Sequence, residues 1–147
     1  MRRIGVLMLY PENDSEGQLR AKAFRQGLEK LGWVDGRNVQ IDFQWGSGDA
    51  DWIRSAAAQL LRLQPDLILA NGTPAAKTMQ QSSRTVPVIF IAGSDPVLDG
   101  LVPSLANPGA NLTGSYVFEP SLGAKLLELL KEIAPQVARA AILFNPD

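Results

Sequence analysis

The sequence has 147 residues, a formal net charge of −1, and neither histidine nor cysteine. This length suffices for one α/β domain with a hydrophobic core. The balanced charge gives no reason to expect a nucleic-acid or anionic-membrane partner. Without cysteine the chain has no disulfide or thiol chemistry, and without histidine it lacks the commonest general base and metal ligand.

Apolar runs and amphipathic stretches alternate along the chain. Unbroken apolar runs predict buried strands at 4–9, 67–70, 88–91 and 140–144, and a short strand is predicted at 112–117. Alternation of apolar and polar residues over 39–45 predicts a half-buried strand at a sheet edge. Helices are predicted over about 16–31, after position 49, from 73–74, within 97–105 and after position 121.

The predicted helix starts depend on capping side chains. Ser15, Asp49, Thr73 and Ser121 are the expected N-caps because their side-chain oxygens can accept from the first free N–H groups. In the first helix, Gly27 is expected to let the backbone approach the sheet, on the same side as the apolar residues 24, 28 and 31.

Strands that alternate with helices predict an α/β fold, because right-handed crossovers place the helices on both faces of a parallel sheet. The edge-like second strand predicts the order 2-1-3-4, which is the flavodoxin-like arrangement.

Polar residues follow three of the predicted strands where each strand ends. Asn71, Gly72 and Thr73 follow one strand, Ser94 and Asp95 follow the next, and Tyr10 follows the first. Ligands bind outside the carboxyl ends of strands in open parallel sheets, and free N–H groups at a helix start can hold an anion. The sequence therefore predicts a small-ligand site at these six residues. Capping alone is the competing explanation for the polar residues at 71–73 and 94–95.

Other site types find no support in the sequence. No phosphate-binding G-x-x-x-x-G-K motif occurs, and Gly46-x-Gly48 is followed by Asp51 rather than a third glycine. A phospho-receiver domain needs an aspartate where Asn71 ends the third strand, and no serine lies in a nucleophile elbow. We therefore expect no catalytic residue, metal or cofactor.

Several blocks resemble one family. They are LGWVDGRNV at 31–39, PDLILANGTP at 65–74, VPVIF at 86–90, SDPV at 94–97, GLV at 100–102, SLA at 104–106 and PGANLTG at 108–114. These blocks resemble the substrate-binding proteins of ABC importers with the type I periplasmic-binding-protein fold, in the branch associated with tryptophan and tyrosine uptake.

The resemblance implies two α/β lobes that close on a ligand between them. Residues 1–118 would form the first lobe, and 119–147 would supply the crossover helix and first strand of the second. Thr73 and Ser94 would hold the carboxylate of an aromatic or branched amino acid, with Asn71 and Asp95 beside them. The parent would be periplasmic or extracellular and lipid-anchored, with its leader absent here, and would deliver the ligand to a membrane permease.

Two alternatives stay open at this point. The same fold serves as the effector domain of transcription regulators, which would require a DNA-binding head upstream. An enzyme is disfavoured by the missing histidine and motifs. The uncovered strand at 140–144 further predicts a homodimer, because an unpaired strand seeks a partner edge.

Overall fold

The computed structural model describes residues 1–46, 49–117 and 121–141. The described residues form five strands and four helices. In chain order they are β1 (Arg2–Met8), α1 (Ser15–Lys30), β2 (Val39–Trp45), α2 (Ala50–Arg62), β3 (Leu67–Asn71), α3 (Thr73–Ser82), β4 (Val88–Ala92), β5 (Leu112–Tyr116) and α4 (Ser121–Ile133).

The five strands make one parallel sheet in the order β2-β1-β3-β4-β5. The predicted flavodoxin-like order is therefore confirmed, with β5 added beside β4. Ile4 of β1 pairs with both Ile41 and Leu67, which puts β1 inside the sheet and leaves β2 at its edge. The unbroken apolar runs of β1 and β3 thus lie inside the sheet, and the alternating run of β2 lies at its edge. In β4, Val88, Phe90 and Ala92 are buried, whereas Ile89 on the other face is 39% exposed.

Two hydrophobic clusters lie on opposite faces of the sheet. Leu7 belongs to the cluster under α2 and α3, whereas its neighbours Val6 and Met8 belong to the cluster under α1. This division follows from the alternation of side chains along a strand. Helix α2 buries Ile53, Ala56, Ala57 and Leu60, and Asp49 caps it as predicted, accepting from the Asp51 N–H.

Two predictions about α1 are wrong. Asp14, not Ser15, is the N-cap, because its carboxylate accepts from the Gly17 N–H at 2.8 Å. The side of α1 that faces the sheet carries the buried positions 17 and 21 and the half-buried positions 24 and 28, so Gly27 faces open solvent. Leu31 lies beyond the last helical turn and is 77% exposed.

The segment after β4 forms turns where a helix over 97–105 was predicted. Asp95 accepts from the Val97 N–H at 2.8 Å, and the backbone N–H of Asp99 donates to the Asp95 carbonyl. Gly100 then takes a φ of +70°, which ends the helical path. Leu101 and Val102 enter the core beside α3.

Helix α4 is present where it was predicted, but its leucines are exposed. Leu126, Leu127 and Leu130 are 39–57% exposed and Ile133 is 82% exposed. The boundary predicted at 118/119 and most of the strand predicted at 140–144 lie outside the described residues, so both stay predictions. Among the described helices, none has the length and apolar character needed to cross a membrane.

Candidate ligand-binding cleft

An open cleft of about 880 Å³ lies at the carboxyl ends of β1, β3 and β4. Its lining comprises Leu9, Tyr10, Arg20, Asn71, Gly72, Thr73, Pro74, Lys77, Ile91, Ala92, Gly93, Ser94, Asp99 and Val117. Five of the six residues predicted for the site lie along this cleft, and Asp95 is the exception. The parallel register produces this convergence, because β3 and β4 end side by side, with Asn71 paired to Ile91.

The turn from β3 into α3 depends on Gly72. Its φ of +99° suits glycine, and a Cβ there would lie 2.2 Å from Leu9 Cδ1. Its N–H donates to the Ile91 carbonyl at 2.8 Å, which ties the turn to β4. The predicted N-cap role of Thr73 is wrong, because Gly72 occupies the N-cap position and α3 begins without a side-chain cap. The Thr73 hydroxyl therefore faces the end of β4 instead.

A chain of polar contacts joins the two strand ends. Thr73 Oγ1 lies 3.1 Å from Ser94 Oγ and accepts from the Gly93 N–H at 3.3 Å. The Ser94 hydroxyl donates to the Asp99 carboxylate. Lys77 Nζ lies 4.0 Å from Asp99 Oδ1, so a cation and an anion stand together at the rim of the cleft.

Asp95 has a different environment from the other five predicted residues. Its Oδ1 accepts from the N–H groups of Val97 and Leu98, and it does not line the cleft. Its predicted ligand contact stays a prediction.

Tyr10 forms a wall of the cleft together with Arg20. The Arg20 guanidinium lies 5.2 Å from the centre of the Tyr10 ring, and its Nε donates to Glu16 at 3.0 Å. A cation over an aromatic face is attracted by the ring quadrupole. A Cβ at Gly17 would lie only 2.7 Å from Tyr10 Cβ, so this glycine lets α1 approach the ring closely.

Sequence reasoning missed three charged residues of the cleft, Arg20, Lys77 and Asp99. Lys77 could have been found, because it follows Thr73 by four residues and therefore lies one helical turn above it on the same face. Asp99 depended on the turn at 95–100, which was predicted as a helix. Among the described residues, no group of three or more acidic, histidine or cysteine side chains could hold a metal ion.

A parallel sheet whose strand ends open into one cleft is the arrangement in which open α/β folds bind their ligands. The family model for "ABC transporter substrate binding protein" matches residues 5–147. The chain therefore belongs to this family, which confirms the resemblance drawn from the sequence blocks.

Individual relatives agree with this assignment. The "Tyrosine-binding protein" of Clostridioides difficile strain R20291 is 36% identical over 124 residues, which are 84% of this chain and 35% of the relative. A ligand-free, open substrate-binding protein with adhesive properties from Clostridium difficile matches with a TM-score of 0.79 and 35% identity, over 92% of this chain and 45% of that one. A Streptococcus pneumonia ABC domain in complex with L-Trp matches with a TM-score of 0.77 and 31% identity, over 91% and 44%. The chain thus spans less than half the length of these relatives.

Proposed function

We propose that this chain is the first lobe of the solute-binding component of an ABC importer. The observation that carries the proposal is the convergence of two strand ends, with Thr73 and Ser94 in contact, in a member of this family. The protein captures a small carboxylate-bearing ligand between two lobes and hands it to a membrane permease. No bond is made or broken, so the protein is not an enzyme.

The chemistry of the cleft favours an amino acid as the ligand. The start of α3 has no side-chain cap, and Arg20 and Lys77 add two cations, so a carboxylate is attracted to this end. Leu9, Tyr10 and Ile91 supply apolar walls for an aromatic or branched side chain. The names of two relatives point in the same direction, since one is called tyrosine-binding and the other was crystallised with L-Trp.

The rest of the proposal concerns the parent protein. Residues 1–118 form the first lobe, and 119–147 begin the second. The parent acts in the periplasm or outside the cell, held by a lipid anchor, because capture must precede transport through the permease. In isolation, the strand at 140–144 pairs with a second copy of the chain.

An NMR titration of the ¹⁵N-labelled chain with amino acids at millimolar concentration tests the ligand class. We expect tryptophan, tyrosine or leucine to shift amide signals at 71–77 and 92–94. Thr73→Val should weaken this binding by up to about tenfold, because it removes a hydroxyl that lines the cleft and contacts Ser94 Oγ, and an ordinary hydrogen bond contributes about 0.5–1.5 kcal/mol.

Thr85→Val is the matched control, because Thr85 is exposed and lies outside the cleft. Its affinity should equal that of the unmodified chain. If no amino acid shifts these signals, the proposed ligand class is wrong.

A further inference from the structure

The hydrogen bonds between the two strand ends have a fixed direction. An ionised carboxylate only accepts hydrogen bonds, so Ser94 must donate its single proton to Asp99. Ser94 Oγ can then only accept from Thr73, which must donate its own proton across the 3.1 Å contact. The Gly93 N–H donates to Thr73 Oγ1. The chain of donors therefore runs from Gly93 through Thr73 and Ser94 to Asp99, and both hydroxyl protons are already in use.

The side chains of Thr73, Ser94 and Asp99 can offer a ligand only hydrogen-bond acceptors. Each hydroxyl oxygen accepts one hydrogen bond and donates one, so each keeps one lone pair. The Asp99 carboxylate keeps several acceptor sites, because Lys77 lies at the outer limit of ion pairing, 4.0 Å from Oδ1. Asp99, Ser94 and Thr73 all line the cleft. These three side chains together carry a negative charge and only accept hydrogen bonds. They therefore attract a cationic donor and repel the carboxylate of a ligand.

We infer that Asp99 is a specificity-determining residue which, together with Ser94, binds the ammonium group of the ligand. The inference rests on the proposed function and deepens it by assigning the residues that bind the ammonium group. It gives Ser94 this role in place of the carboxylate contact that the family resemblance implied. In an α-amino acid the ammonium and the carboxylate share one carbon atom. The cleft matches this arrangement, because the Lys77 cation lies next to the acceptors of Asp99 and Ser94. Lys77 can therefore face the carboxylate while the acceptors face the ammonium.

Matched pairs of probes separate the ammonium from the rest of the ligand. The pairs are tryptophan with indole-3-propionate, tyrosine with 3-(4-hydroxyphenyl)propionate, and leucine with 4-methylpentanoate. Each pair is titrated by NMR into the 147-residue chain and into Asp99→Asn, which keeps the shape of the side chain. We expect Asp99→Asn to weaken the amino acid by about 10- to 100-fold, the usual effect of losing a charged hydrogen bond. The affinity for the deaminated partner should stay the same.

Two further variants guard against a purely structural effect. Ser94→Ala should reduce the preference for the amino acid in the same direction. Asp51→Asn removes the same charge from the exposed surface of α2, outside the cleft, and should change neither affinity.

The outcomes separate this inference from the proposed function. If Asp99→Asn weakens both members of a pair equally, Asp99 only positions Lys77 and the inference is overturned. Unchanged affinity for the amino acid overturns it as well, while leaving the proposed function intact. If no member of any pair binds the unmodified chain, the proposed ligand class and the inference fail together.

Discussion

At the scale of single residues, Gly72 decides whether the cleft can exist. Its backbone lies in a region of φ and ψ that is essentially restricted to glycine, with φ +99° and ψ 152°. The space for a side chain is already filled by Leu9, which lines the same cleft. The turn that exposes Thr73 therefore depends on the absence of one carbon atom.

We expect Gly72→Ala to lower the free energy of unfolding by about 2–4 kcal/mol, the combined effect of backbone strain and overpacking. Urea denaturation followed by circular dichroism measures the change. Gly27→Ala is the matched control, because Gly27 lies inside α1 with open space around it. The control should gain about 0.5–1 kcal/mol. A Gly72→Ala variant as stable as the unmodified chain would show that the turn tolerates a side chain.

At the scale of elements, the order of the sheet and the starting points of four helices followed from the sequence. The runs at 67–70 and 88–91 are apolar on both faces, and that pattern has few structural interpretations. The choice between two neighbouring residues for an N-cap position was harder to predict. Asp14 and Ser15 can both cap α1, and only the observed position of Gly17 distinguishes them.

The candidate site was predictable only where it depends on strand ends. Asn71, Gly72 and Ser94 follow directly from where β3 and β4 stop. Asp99 does not, because its place depends on a turn whose geometry is set by the capping of Asp95 and by the conformation of Gly100. Turn geometry of this kind leaves no periodic trace in the sequence.

A polar clamp joins the starts of β1 and β3. Asp66 Oδ2 accepts from the Arg3 N–H at 2.8 Å, Oδ1 pairs with Arg2 at 2.9 Å, and the Asp66 N–H donates to the Arg3 carbonyl. The backbone hydrogen bond from Arg3, followed by the Arg2 guanidinium, lowers the pKa of Asp66 below its ordinary value of 3.8. The clamp therefore stabilises the charged form of the carboxyl.

This lowered pKa makes the contribution of Asp66 depend on pH. A depressed folded-state pKa gives stability that is fully present above about pH 3.8 and is lost as the pH falls through the folded-state value. We expect Asp66→Asn to be less stable than the unmodified chain at neutral pH, and we expect this difference to shrink as the pH falls below about 3.8. Urea titrations at neutral pH and at a series of acidic pH values measure the difference.

Glu29→Gln, on the exposed surface of α1, removes one carboxylate and leaves the clamp intact. Comparing its stability with that of Asp66→Asn therefore distinguishes the effect of losing one negative charge from the effect of losing the clamp. A stability difference between Asp66→Asn and the unmodified chain that persists unchanged at low pH would contradict the prediction.

At the scale of the whole molecule, the sheet and α4 differ in how well they are covered. Leu60 of α2 and Phe90 of β4 are almost fully buried between the sheet and its helices, whereas Leu126 and Leu130 of α4 are 57% and 39% exposed. Clustered exposed leucines on one helix form a surface that gains free energy from burial, at roughly 25 cal/mol per Å². In the proposed two-lobed parent, this face of α4 would be covered by the rest of the second lobe.

We therefore expect the 147-residue chain to self-associate as its concentration rises, and light scattering measures the apparent mass. Leu126→Glu combined with Leu130→Glu should reduce this association, because burying two carboxylates opposes it. The double variant should unfold at the same urea concentration as the unmodified chain, since these leucines are not buried against the sheet.

Ile142→Pro tests the separate contribution of the strand predicted at 140–144, because proline removes a donor from strand pairing. Association that survives both sets of substitutions, or a clean monomer at every concentration, would refute the prediction.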